Sequence, residues 1–206
     1  TPAGLKASAA MNTELALIPQ PQRVRRLPGF FVLPPRGCLA IAHAGLAPAA
    51  RALRLRFPTW PLQADVPGLP APLQLRLGHP GRPGGYRLAI GRTGIVVAGA
   101  DPAGVRHGVQ TLLQILDQAP PSRLPRLCID DWPAIPERGL YFDVSRGRMP
   151  NADHLKRLAC TLARFKLNQL QLYVEHTFAF RGHPDIGRGA DPLTAETILD
   201  LDAFCR

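Results

Sequence analysis

The sequence predicts an α+β domain followed by the opening elements of a parallel α/β domain. Two patterns and one charge shift point there. Between residues 73 and 99, apolar and polar residues alternate as they do in half-buried strands. After residue 132 the strand-like segments become almost continuously apolar, as in buried parallel strands. The charge balance changes at the same place: residues 1–131 carry 15 basic and 6 acidic groups, residues 132–206 carry 10 and 9. Such a shift suggests two units.

Leu17-Ile18-Pro19-Gln20-Pro21 is an extended opening segment, because proline keeps itself and its predecessor out of helix. Phe30 to Leu33 reads as a short strand closed by Pro34-Pro35, and Leu39 to Ala42 as another. Leu46 to Phe57 is rich in Ala, Leu and Arg, which favour helix, with Pro48 in its first turn. Pro58 to Pro72 reads as loop. Leu73 to Leu77 alternates, and so does Tyr86 to Ile90. The turn Gly91-Arg92-Thr93-Gly94 then returns the chain through Ile95 to Gly99, a β-hairpin. Asp101-Pro102 provides an N-cap and a first-turn proline. The helix it starts has apolar residues at 105, 109, 112, 113 and 116 and ends at Pro120-Pro121.

In the second unit, Leu140 to Val144 is an apolar strand. Asn151 caps a helix with apolar positions 155, 158, 159, 162 and 165. Leu170 to Val174 is a second strand. A loop from Glu175 to Pro192 leads to a helix capped by Thr194 and carrying Ile198, Leu201 and Phe204. A right-handed crossover makes the two strands parallel.

The 206 residues, 23 of them proline and 19 glycine, fit one large or two small domains. They are too few for a complete β/α barrel of about 250 residues plus another domain. The net charge of +10 raises nucleic acid as a partner. Against it, 22 of the 25 bases are arginine and they are scattered, with Arg23, Arg25 and Arg26 the tightest cluster. No groove-entering motif accompanies them. A solvated basic face is expected, with no nucleic-acid partner. Cys38, Cys128, Cys160 and Cys205 lack metal-site spacing, and Cys160 is read as a buried free thiol. No apolar run approaches a membrane span, and no secretory signal is seen. The expectation is a cytoplasmic protein without a membrane partner. Residues 1–14 read as a disordered or upstream segment. The histidines, among them His107 read as a surface residue beside Arg106, show no metal spacing.

Three segments together resemble glycoside hydrolase family 20, the β-N-acetylhexosaminidases. The first is Leu17 to Pro21. The second runs from Tyr86 to Ile90 on to Gly104, Gly108 and Gln110-Thr111-Leu112-Leu113-Gln114. The third is Ile129-Asp130-Asp131 with Arg138-Gly139-Leu140 and Asp143-Val144-Ser145-Arg146, followed by Lys166-Leu167-Asn168. The resemblance implies an accessory α+β domain over 15–131, mostly antiparallel with helices on one face. It implies that 132–206 are the first β-α-β-α units of a truncated (β/α)8 TIM barrel. It also implies removal of terminal N-acetylhexosamine from a glycan by substrate-assisted retaining hydrolysis, with no cofactor and no metal.

In this family an adjacent Asp-Glu pair after the fourth barrel strand does the acid and orienting work. No Asp-Glu dipeptide occurs in the sequence, so no catalytic residue is assigned and the isolated chain is expected to be inactive. Arg138 matches the family arginine implied to hold sugar hydroxyls; a structural ion pair with Glu137 or Asp143 is the other reading. Asp143 either pairs with Arg146 or Arg138, or touches ligand. Glu175 and His176 end the second strand, on the rim where barrel sites lie. Family members commonly have two aspartates there, and often a histidine where this chain has Gly147. Two alternatives remain open at this point. One is another barrel glycosidase with the same N-terminal module, of α-glucuronidase or α-N-acetylglucosaminidase type. The other is a non-catalytic carbohydrate- or protein-binding module.

Overall fold

A computed structural model describes residues 15–66 and 71–205. The expectation for residues 1–14 lies outside the described residues. The first unit is a seven-stranded sheet with two helices on one face. Its strands are β1 (Arg23–Phe31), β2 (Leu39–Ile41), β3 (Leu62–Ala64), β4 (Leu73–Leu77), β5 (Tyr86–Ile90), β6 (Ile95–Gly99) and β7 (Leu124–Asp131). The spatial order is β1-β7-β5-β6-β4-β2-β3. Helices α1 (Ala47–Arg56) and α2 (Pro102–Gln118) pack on each other and on the inner strands.

The sheet is evenly mixed, which corrects the antiparallel expectation. β1–β7, β5–β6 and β5–β7 are antiparallel, whereas β2–β3, β2–β4 and β4–β6 are parallel. For the β2–β3 pair the physical reason is α1. It crosses over between β2 and β3, and a helical crossover returns the chain in the same direction. Two further corrections concern edges. The strand expected at Phe30–Leu33 is β1, which begins at Arg23 and bridges a register shift between Arg26 and Phe30. Inside the segment read as loop, Leu62–Ala64 forms the far edge.

α2 starts where expected: the Asp101 carboxylate accepts from the Gly104 amide at 2.7 Å. Its face of Val105, Val109, Leu112 and Ile115 is fully buried against Leu75, Leu88, Ile95 and Val97 of the sheet. Two glycines allow this close approach. A Cβ on Gly104 would stand 2.1 Å from the Gly85 carbonyl oxygen, and one on Gly108 would stand 2.5 Å from Val97 Cγ1.

The second unit has β8 (Gly139–Asp143) parallel to β9 (Gln169–Tyr173), in register from Gly139↔Gln169 to Asp143↔Tyr173. Helix α3 (Ala152–Arg164) joins them, and α4 (Ala195–Cys205) follows. Asn151 and Thr194 cap these helices as expected, accepting from the amides of His154 and Thr197. Val144, Leu155, Leu193 and Leu201 form a second, smaller core. Cys160 is exposed, not buried, because it lies on the outward side of α3. No helix among the described residues is long and apolar enough to cross a membrane.

The candidate site at the strand ends and the junction beneath it

Parallel pairing sets the carboxyl ends of β8 and β9 side by side. Asp143, paired with Tyr173, closes β8, and Glu175 lies two residues beyond β9. Arg146 stands between the two carboxylates. Its guanidinium donates to Asp143 Oδ2 at 2.5 Å and to Glu175 Oε1 at 2.7 Å. The same Glu175 oxygen accepts from the Tyr173 hydroxyl at 2.6 Å. Ser145 ties the loops together: its amide donates to Asp143 Oδ1 at 2.7 Å, and its hydroxyl accepts from the Glu175 amide at 2.7 Å. The Arg146 guanidinium also lies 5.3 Å from the centre of the Tyr173 ring.

The electrostatics follow these contacts. The Ser145 amide and then Arg146 hold the Asp143 carboxyl below the usual range. Asp143, Tyr173 and Glu175 raise the Arg146 guanidinium, and the hydrogen bond to Glu175 raises the Tyr173 phenol. The result is two carboxyl groups bridged by one guanidinium, with acceptor oxygens left for a hydroxylated ligand. His176 is exposed beside Glu175. Of the two readings of Asp143, pairing with Arg146 is the one seen.

Arg138 is at the other end. It precedes Gly139, so it lies about 16 Å from Asp143 at the usual strand rise. Its Nε and one terminal nitrogen donate to the Lys166 carbonyl at 2.9 and 2.7 Å. The other terminal nitrogen donates to the carbonyls of Ile135 and Pro136 at 2.7 and 2.8 Å. Neither Glu137 nor Asp143 is its partner, which corrects the ion-pair reading. A planar fork suits this convergence of carbonyls.

Around Arg138 the two units meet in a buried polar cluster that sequence reasoning missed. Lys166, just past α3, has a left-handed backbone with φ of 62°, a position usually taken by Gly or Asn. That turn sends its side chain into the first unit. There Nζ donates to Asp131 Oδ2 at 2.8 Å and to the Tyr86 hydroxyl at 2.9 Å. Tyr86 also shares a 2.6 Å hydrogen bond with Thr111. Burial lowers the Lys166 ammonium against the pull of Asp131, and burial first and Asp131 second raise the Tyr86 phenol. His107 is half-buried here, correcting the surface expectation. Its Nδ1 lies 2.8 Å from the Gly84 carbonyl oxygen, so that nitrogen carries the proton. Gln114 donates to the carbonyls of Ile18 and Arg164, tying the opening segment to the end of α3.

The model of glycosyl hydrolase family 20, domain 2, matches residues 14–132. The chain belongs to glycoside hydrolase family 20. A β-hexosaminidase of Akkermansia muciniphila is 34% identical over 107 residues, covering 49% of this chain and 22% of the relative. An N,N'-diacetylchitobiase of Vibrio harveyi is 31% identical over 97 residues, 47% of this chain and 11% of the relative. Among solved structures, the β-N-acetylhexosaminidase of Streptomyces coelicolor A3(2) matches with a TM-score of 0.81 at 21% identity, over 92% of this chain and 43% of that one. The Flavobacterium johnsoniae chitobiase matches at 0.74 with 26% identity, over 93% and 33%. The chain thus spans about a tenth to a quarter of the length of the curated relatives it matches. The first unit, with its mixed sheet and two helices, is the part that the family model covers.

Proposed function

We propose that this chain is part of a β-N-acetylhexosaminidase that removes terminal N-acetylhexosamine from glycans. In this reading residues 15–131 are the accessory domain. Residues 132–206 are the first strands and helices of a (β/α)8 barrel, with the sugar bound at the carboxyl ends of β8 and β9. The observation that carries it is Arg146 drawing Asp143 and Glu175 together at that end, 2.5 and 2.7 Å from its guanidinium. Barrel enzymes place their chemistry on this rim.

The chemistry is substrate-assisted. The 2-acetamido oxygen of the sugar attacks its anomeric carbon while an acid protonates the leaving oxygen. A carboxylate beside the acetamido group stabilises the positive charge that develops. Those two groups are supplied by residues outside this chain. Within it, Glu175 accepts from sugar hydroxyls with the oxygen that Arg146 and Tyr173 do not use, and His176 contacts the same sugar from the neighbouring position. Asp143 acts through Arg146. For Arg138 the observed contacts support a role in fixing the junction over contact with sugar hydroxyls.

The test is release of p-nitrophenol from p-nitrophenyl N-acetyl-β-D-glucosaminide. The whole protein is expected to release it and the purified 206-residue chain is not. Cleavage of a p-nitrophenyl α-glucuronide instead would replace this reading with another barrel glycosidase.

A further inference from the structure

Ser145 stands two residues past the end of β8, and Glu175 two residues past the end of β9. One hydroxyl joins them. Ser145 Oγ accepts from the Glu175 amide at 2.7 Å, and it faces the Tyr173 carbonyl oxygen at 3.4 Å and the Thr177 hydroxyl at 3.3 Å. A single short side chain from the first strand end therefore touches residues 173, 175 and 177 of the second. The turn is held from elsewhere too. Thr177 is only 3% exposed, and its carbonyl accepts from the Leu193 amide at 2.8 Å. Gly187, with φ of 82°, packs so closely on the same turn that a Cβ there would stand 2.5 Å from the His176 carbonyl oxygen. The backbone that carries Glu175 is fixed by these three segments, while its side chain stays exposed.

We propose that Ser145 is a positioning residue for sugar binding: its hydroxyl sets the backbone at Glu175 so that the free carboxylate oxygen is presented to a sugar hydroxyl. The proposal rests on the reading of Glu175 as a sugar-holding residue. Arg146 and the Tyr173 hydroxyl fix the far end of Glu175 through Oε1. They cannot fix it alone. The Arg146 side chain is 64% exposed, and its flexible stem can follow the carboxylate to other positions. The Ser145 side chain has one carbon and cannot follow. With the root of Glu175 held by Ser145 and its tip held by Arg146 and Tyr173, Oε2 is preset and binding requires little further ordering. Ser145 acts through Glu175, because the groups around its hydroxyl are protein groups: the amide of 175, the carbonyl of 173 and the hydroxyl of 177. Its own amide meanwhile holds Asp143, so one residue seats both carboxyl groups that Arg146 bridges.

The experiment is a double-mutant cycle in the whole protein, read as the kinetics of p-nitrophenyl N-acetyl-β-D-glucosaminide hydrolysis. Ser145→Ala is expected to raise KM about fivefold with little change in kcat, as the loss of one hydrogen bond that supports binding predicts. Ser145→Thr keeps the hydroxyl and should recover most of the native KM. In the Glu175→Gln background, Ser145→Ala should change KM by less than about twofold, because residues that act as one unit are not additive. A merely structural serine would give the same effect in both backgrounds. If Ser145→Ala does not fold, Ser145→Cys takes its place in the cycle, since sulfur is a weak acceptor in a side chain of similar shape. The proposal is overturned by an unchanged KM in the folded Ser145 variant, by an equal effect in the Glu175→Gln background, or by a Ser145→Thr that recovers nothing. An unaltered KM in Glu175→Gln alone overturns the reading of Glu175, and the proposal with it. A raised KM in Glu175→Gln beside an unaltered Ser145→Ala overturns the proposal only.

Discussion

Lys166 Nζ donates to Asp131 Oδ2 across the meeting of the two units at 2.8 Å, with only 7% and 10% of the two side chains exposed. This pair lies beneath the strand-end site. The residue after Asp131 begins the link to β8, and Lys166 stands just ahead of β9. It therefore fixes both parallel strands against the first sheet. Removing one partner leaves a buried charge without its counterpart, which typically costs about 3–5 kcal/mol. Lys166→Met is expected to lower unfolding free energy in urea by that order. Adding Asp131→Asn to it should recover part of the loss. A Lys166→Met loss below about 1 kcal/mol would show the pair to be incidental.

Stability should fall in mild acid through His107. Burial first, then Arg138, Lys166 and Arg106, lowers its imidazole below the ordinary 6.5. As pH drops through 6.5 the unfolded chain takes up a proton that folded His107 does not. The contribution of this group therefore declines from that point down to its folded value. Urea midpoints measured between pH 7.5 and 5.5 should decline for the native chain and decline less for His107→Gln. Parallel slopes for the two would contradict the assignment.

Arg138→Lys is expected to destabilise the fold by about 2 kcal/mol, because one ammonium cannot serve the carbonyls of Ile135, Pro136 and Lys166 together. Thermal melts of the variant check this. An unchanged melting temperature would return Arg138 to the sugar-holding role implied by the family resemblance.

Gly104→Ala sets helix propensity against packing. Alanine is better than glycine in a helix by about 1 kcal/mol. At this position, however, its Cβ would meet the Gly85 carbonyl oxygen at 2.1 Å. Overpacking of that kind costs about 1–3 kcal/mol, so a net loss of stability is expected in denaturant melts. A more stable variant would mean that the β4–β5 turn yields freely.

These contacts also show which features local patterns could reveal. α2 was legible because its cap, first-turn proline and apolar spacing are all local to residues 101–116. β8 and β9 were legible as apolar runs. β1 was partly hidden: Pro28-Gly29 interrupts it, and as an edge strand it is exposed over most of its length. β7 carries Pro125 near its start and was noticed only as a motif around Asp130 and Asp131. Glu175 and Asp143 were named singly. Their meeting on Arg146 depends on the register of two strands that are 30 residues apart, Gly139 opposite Gln169. Lys166 was read only as the approach to β9. Its burial follows from a left-handed backbone that a lysine codon does not announce.

The central claim is that this chain belongs to an enzyme whose sugar sits at the ends of β8 and β9 and whose acid lies elsewhere. The most direct measurement is the kinetics of p-nitrophenyl N-acetyl-β-D-glucosaminide hydrolysis by three proteins: the whole protein, its Glu175→Gln variant and the 206-residue chain. The expected result is turnover by the whole protein, a KM raised about tenfold or more in Glu175→Gln by loss of a charged hydrogen bond to the sugar, and no turnover by the 206-residue chain. Turnover by the 206-residue chain, or unaltered kinetics in Glu175→Gln, would contradict it.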